Sequence, residues 1–256
     1  ERGLLQIRHI LPELDAHLAT STWVASDNFT VADIDLLVPH AQARPAYDLL
    51  HAAGCVAAET LDERFVRYHR SVHLISPAAR ELDLHWRLMD GFGPGDEQEL
   101  WTDGVPLRIA GVTTLAPSPT DLLFHTVVHG VAWNPEPPIR WVADAATLAQ
   151  APAAAIDWQR LAVLAARHRV GLRLRKGLEY LGAVVPAAVP PAAEEALRRL
   201  PATWLEQREY RFLTTPRGGP RKARPVDGLA YHVSAYRRMT GWGRRRVPGG
   251  FFGYLN

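Results

Sequence analysis

The stretch Val31-Ala-Asp-Ile-Asp-Leu-Leu-Val-Pro39 sets two carboxylates, Asp33 and Asp35, inside an otherwise apolar run that reads as a buried strand. Side chains alternate along a strand, so both acids are expected on one face while Ile34 and Leu36 cover the other. Two like charges side by side in a low-dielectric site are strongly unfavourable unless a cation neutralises them. A divalent metal held by oxygen ligands is the expected partner. The competing reading is a strand end with two solvated acids, because Asp-x-Asp is short and matches often by chance.

A second run extends the pattern. In "RELDLHWRL", residues 80–88, the residues Glu81, Asp83, His85 and Arg87 alternate with Leu82, Leu84, Trp86 and Leu88. If this strand lies beside the first, Asp83 completes a three-carboxylate cluster of the kind that binds two Mg²⁺ ions and clamps the attacking and leaving oxygens of a displacement at phosphorus. Glu81, His85 and Arg87 would then line the cleft. Otherwise they form the wet face of an antiparallel sheet.

Around these runs the chain has two textures. From about residue 21 to 116 the β-prone runs "VADIDLLV", "ERFVRYHRSVHLIS", "RELDLHWRL" and "PLRIAGVTTL" accompany a helical "ARPAYDLLHAAG" that ends at Gly54. From Pro117 onward "SPTDLLFHTVVHGVAW", "IRWVADAATLAQ", "DWQRLAVLAARHRV", "GLRLRKGLEYLGAVV" and "PAAEEALRRL" have helical periods. The expected fold is therefore α+β over residues 1–116, followed by an all-helical domain over 117–203. Residues 204–256 hold eleven Lys or Arg against three acids, with Gly and Pro among them, and are expected to be a basic, extended C-terminal tail. Contact of that tail with nucleic acid is possible but not favoured over a solvated segment.

Composition bounds the rest. With 256 residues and 47% hydrophobic content the chain suffices for one large domain or two small ones. Its single cysteine, Cys55, excludes an internal disulfide framework and fits a small core residue in a reducing compartment. No apolar run approaches membrane-spanning length, and "ERGLLQIRHILPEL" has helical spacing rather than a signal core. A cytoplasmic protein without a membrane partner is expected.

The helical half adds one further pattern. Asp121, His125 and His129 recur every fourth residue on one helix face, and His-x-x-x-His at this spacing can bind zinc, as a zinc-dependent hydrolase would. No Glu adjoins His125 and a third ligand is not evident. The alternative is a polar network reaching Asp144, with His129 turned toward the active cleft. Trp86, Trp133, Trp141 and Trp158 fit apolar faces and are expected in the core.

Taken in order, "DIDLLV", the helix ending in "AAG", "ELDLHWRL", "SPTDLLFHTVVHGVAW" and "IRWVADAATLA" resemble the bacterial uncharacterised nucleotidyltransferase family of the polymerase-β type. The resemblance implies a small mixed sheet flanked by helices and followed by a helical domain. It implies an enzyme that uses Mg²⁺, two ions, and a nucleoside triphosphate as co-substrate, and moves the nucleoside monophosphate to a hydroxyl of a peptide or small-molecule acceptor. Asp33 and Asp35 take the place of the paired metal-binding acids, and Asp83 that of the third carboxylate, which binds metal and accepts the hydroxyl proton. Members of the family carry a glycine turn upstream of the paired acids, where backbone N–H groups cradle the triphosphate. Here that region reads "HLATSTWVASDNFTVAD", without glycine or arginine, so a segment is missing between the first helix and Trp23, or Ser21 and Thr22 take the turn's place, or nucleotide is no longer bound. The first helix and the strand otherwise join with no room for the turn, which favours the first of these. The same departure keeps open a non-catalytic relative that binds a peptide or protein partner.

Overall fold

The computed structural model describes residues 33–89, 92–93, 96–109, 111–133, 139–151, 155–215, 223–241 and 250–255. The chain divides into two units, residues 1–90 with 94–116, and residues 91–93 with 117–256.

The first unit is built on four strands, β1 (Asp33–Leu37), β2 (Val56–Ala57), β3 (Ser71–Ile75) and β4 (Glu81–His85), in the order β1-β4-β3-β2. β4 pairs in parallel with β1 and antiparallel with β3, and β2 adds antiparallel to β3. A chain that leaves β1 must cross over before a parallel neighbour can form. The first element of that crossover is α1 (Ala43–Ala52), which buries Ala43, Ala46 and Leu50 at helical spacing. Gly54 stops it with φ +92, a conformation that costs glycine little. The core joins these residues to Cys55, Leu61, Val72, Leu74, Leu82, Leu84 and Trp86. Trp86 is fully buried, and its indole N–H is satisfied by the carbonyls of Val66 at 2.9 Å and His69 at 2.8 Å.

Two β-prone runs differ from their sequence reading. "ERFVRYHRSVHLIS" begins as a helix, α2 (Glu63–Tyr68), and only then becomes β3. The carboxylate of Asp62 accepts the Phe65 N–H at 2.6 Å, and this N-cap, with Glu63 in the first turn, overrides the β-propensity of Phe65, Val66 and Tyr68. After α3 (Gln98–Asp103), "PLRIAGVTTL" folds back on itself at Gly111, φ +86, as the hairpin β5 (Val105–Ile109) and β6 (Val112–Ala116).

Among the described residues the second unit contains helices only: α4 (Pro119–Trp133), α5 (Ile139–Gln150), α6 (Trp158–Arg167), α7 (Gly171–Val184), α8 (Pro191–Arg198), α9 (Trp204–Thr214), α10 (Pro225–Met239) and α11 (Gly250–Leu255). α4 buries Leu123, Phe124, Val127, Val128, Val131 and Ala132, an apolar surface wide enough for several neighbours. Small residues let them close in. A Cβ on Gly130 would overlap the Trp141 side chain, and one on Gly177 would overlap Val127.

Residues 204–256, expected as an extended tail, contribute α9, α10 and α11 to this unit. Thr203 and Glu206 close a capping box that starts α9. Glu209 on α9 is buried and accepts from Arg173 of α7 at 2.8 Å and from both terminal nitrogens of Arg238 on α10, one of them at 3.0 Å. Burial alone would raise the Glu209 carboxyl, but Arg238 and Arg173 hold it below the usual range. Net charge per segment could not show that some of its arginines face inward. The Gly/Pro-rich stretches at 216–222 and 242–249 lie outside the described residues. No described helix is long and apolar enough to cross a membrane. The fold is thus α+β, a small sheet with flanking helices followed by a helical region.

Two stability tests follow from this packing. Gly130→Ala drives a methyl into the Trp141 ring and is expected to cost about 1–3 kcal/mol or more by overpacking. Gly182→Ala meets the flexible carboxylate end of Glu194, 3.3 Å away, and Val189 Cβ at an ordinary 4.0 Å, and is expected to be neutral or mildly stabilising in urea denaturation. The second test concerns Glu97, which is 4% exposed and whose Oε1 has no hydrogen-bond partner among the described residues. Burial, with Asp96 adding a like charge, pushes its carboxyl from 4.5 up to about 7 against the opposing pull of Arg87 and backbone hydrogen bonds. A carboxyl that holds its proton more tightly when folded loses stability as pH rises from 4.5 to about 7. Glu97→Gln should therefore exceed the parent by about 2–3 kcal/mol at pH 8 and match it near pH 4. A gain independent of pH would remove ionisation as its cause.

Candidate active site

β4 is the central strand of the site because both of its edges are paired. Leu82 and Leu84 point into the core at 2% and 0% exposure, so strand alternation sends Glu81, Asp83 and His85 to the opposite face. Register then sets their neighbours. Asp83 is flanked by Asp35 on β1 and by His73 on β3, which makes a row of three across three strands. The row above it is Leu37, His85 and Ser71, and the row below is Asp33, Glu81 and Ile75.

Hydrogen bonds knit the rows together. His73 Nδ1 lies 2.9 Å from Asp83 Oδ1, while His85 Nε2 reaches diagonally to Asp35 Oδ1 at 3.0 Å and stands 4.0 Å from Asp83 Oδ2. Cross-strand and diagonal neighbours on one face of a sheet are within reach of side chains of this length. The Asp35 side chain is 67% exposed and that of Asp83 28%, whereas His85 is held at 14%. One ligand atom from each of Asp35, Asp83 and His85 lies within 4.8 Å of the other two, the one such group among the described residues. Two carboxylate oxygens and an imidazole nitrogen converging on an accessible point fit a divalent cation.

Asp35, Asp83 and His85 are thus brought together. Asp33 begins β1 in register with Glu81, and of Asp33 the backbone alone is described. Glu81 is exposed on the site face. Arg87, expected to line the cleft, does not. It follows the end of β4, is 2% exposed, and donates to the carbonyls of Arg67 at 2.5 Å and Val66 at 3.3 Å. Its charge, after burial itself, holds the neighbouring His40 below its ordinary value. The alternation that placed Arg87 with Asp83 holds only while the strand continues. Ser21 and Thr22 lie outside the described residues. His129 belongs to the helical unit, where its ring stacks on His125 with centroids 5.1 Å apart. Asp121 is fully buried there and is held by Ser118 Oγ at 2.6 Å and Arg160 Nη2 at 3.0 Å, so its network runs to α6 rather than to Asp144, which is exposed.

Sequence reasoning missed His73. Its signal was present in the turn between β3 and β4, where Ser76 and Arg80 exchange backbone and side-chain hydrogen bonds and Ala79 adopts φ +56. A hairpin centred on Ala78 pairs His73 with Asp83. Taking residues 63–76 as one extended run hid that centre.

With this geometry in place, a family model described as an uncharacterised nucleotidyltransferase matches residues 30–186, more than half of the chain. The chain belongs to that family. The matched span contains β1, α1, β3 and β4 with the whole Asp35–Asp83–His73 row, and continues through α7. No curated protein and no solved structure gives a significant match.

The two kinds of acid in this chain should separate by mutation. Asp35→Asn leaves an exposed acceptor for His85 and is expected to change stability by less than about 1 kcal/mol. Asp121→Ala strands Arg160 beside a buried hole and should cost about 3–5 kcal/mol. Chemical denaturation of both variants measures the contrast, and a loss at Asp35 as large as that at Asp121 would make Asp35 structural.

Proposed function

We propose that this nucleotidyltransferase is a Mg²⁺-dependent enzyme of the polymerase-β type that moves a nucleoside monophosphate from a nucleoside triphosphate to a hydroxyl of a peptide or small-molecule acceptor. The observation that carries the reading is the pairing of Asp35 with Asp83 on adjacent parallel strands, in a chain of a family described as an uncharacterised nucleotidyltransferase. Asp33, Asp35 and Asp83 would hold the ions. Ions held there would supply positive charge against the triphosphate and the departing pyrophosphate. The acceptor hydroxyl oxygen forms the new bond to the α-phosphorus as the bond to pyrophosphate breaks, and its proton passes to Asp83. His73 fixes the Asp83 carboxylate through Oδ1, while Oδ2 stands 4.0 Å from His85 Nε2. Ser21 and Thr22 are assigned to the triphosphate, because backbone and hydroxyl donors there would replace a glycine turn.

The test begins with binding. A nucleoside triphosphate together with Mg²⁺ should raise the melting temperature, since a ligand that binds only the folded chain stabilises it. Transfer of α-labelled nucleotide to acceptors from a cell lysate then reads the chemistry. Asp33→Asn and Asp35→Asn should lose Mg²⁺-dependent binding and transfer together. Asp83→Asn should lower kcat by roughly 10²–10⁴-fold even at saturating Mg²⁺, the loss typical of a removed general base. Undiminished transfer by Asp33→Asn and Asp35→Asn would remove these acids from the active site, and absence of any triphosphate binding would favour a non-catalytic relative that holds a peptide or protein partner.

A further inference from the structure

We infer that His85 is itself a metal ligand beside Asp35 and Asp83, and that this set of two carboxylates and one imidazole makes the site prefer a divalent transition-metal ion to Mg²⁺. The inference rests on the metal-dependent reading above and refines which ion sits next to His85. An imidazole nitrogen can donate a proton to a carboxylate or lend its lone pair to a cation, and Nε2 of His85 stands where it can do either. In an octahedral site with bonds of about 2.1 Å, adjacent ligand atoms lie about 3.0 Å apart and opposite ones about 4.2 Å. Nε2 is 3.0 Å from Asp35 Oδ1 and 4.0 Å from Asp83 Oδ2, close to one edge and one diagonal of such a site. Strand alternation by itself brings Asp83 and His85 to one face, and the three ligand atoms converge within 4.8 Å of one another.

The surroundings point the same way. His85 sits on the central strand and is 14% exposed, so its imidazole is held in place beside the more exposed Asp35. Asp83 has its Oδ1 engaged by His73 at 2.9 Å, the outer contact that commonly orients a ligating group and leaves its second oxygen for the ion. Mg²⁺ is served by oxygen alone, whereas imidazole suits Fe²⁺, Ni²⁺, Cu²⁺ and Zn²⁺, and Mn²⁺, lowest of the transition ions in affinity, makes the strictest probe.

Mn²⁺ is the probe. Pulsed electron paramagnetic resonance of the Mn²⁺-loaded full chain should show nitrogen hyperfine coupling from a directly bound imidazole. Calorimetric titration should give Mn²⁺ at least about tenfold tighter than Mg²⁺, and His85→Asn should abolish the nitrogen coupling and weaken Mn²⁺ at least about tenfold while leaving Mg²⁺ within about threefold. Because the spectrum of the unaltered protein is decisive by itself, the result does not depend on whether His85→Asn folds. Mn²⁺ binding that requires Asp35 and Asp83 yet shows no nitrogen coupling would overturn the role of His85 and leave the carboxylate metal site standing. Failure of both ions to bind, in parent and variants alike, would overturn the metal reading together with it.

Discussion

A strand with two opposed faces organises the first unit. Leu82 and Leu84 of β4 close the core against α1, and the same pleat sends Asp83 and His85 the other way. A slip of one residue in the pairing of β4 would carry both leucines to water and Asp83 into the core. The apolar face therefore fixes the register, and the register fixes the site. Apolar burial of this kind supplies a geometric precision that the exposed Asp35–His85 contact could not provide for itself, since exposed ion pairs contribute little.

The helical unit solves a different problem. α4 presents apolar surface on several sides, and the close approach of its neighbours depends on the missing side chains of Gly130 and Gly177. Farther along the chain a buried charge takes over. Glu209 between Arg173 and Arg238 ties α9 to α7 and α10, and such a cluster is tolerated because each of the two carboxylate oxygens has a donor.

The members of the sheet face differ in exposure. Asp83 is tethered on one oxygen, His85 is held by its strand and largely covered, and the Asp35 side chain, though it contacts His85, is 67% exposed. The three ligand atoms therefore converge where solvent and a ligand can reach them, and under the proposed function that access is what a triphosphate would need.

Much of this was legible in the sequence because it depends on short-range pattern. The alternation in "DIDLLV" and "ELDLHW", the helical periods after Pro117 and the glycine stop at Gly54 are local signals, and the strands and helices they specify are present. Strand alternation also put Asp83 and His85 on one side of β4 without any knowledge of its neighbours. What the sequence left open was who stands next to whom. The row that adds His73 to Asp35 and Asp83 depends on where a hairpin is centred, and Asp62, by capping α2, shortened the run in which that centre had to be found. Arg87 left the site face because β4 ended before it, and its buried guanidinium found carbonyls instead. The arginines of α9 and α10 read as a solvated tail because net charge does not record which of them meets Glu209. Local pattern determined the elements and their faces, whereas pairing partners and the fate of buried charge were decided by tertiary structure, where desolvation makes every polar group seek a partner distant in sequence.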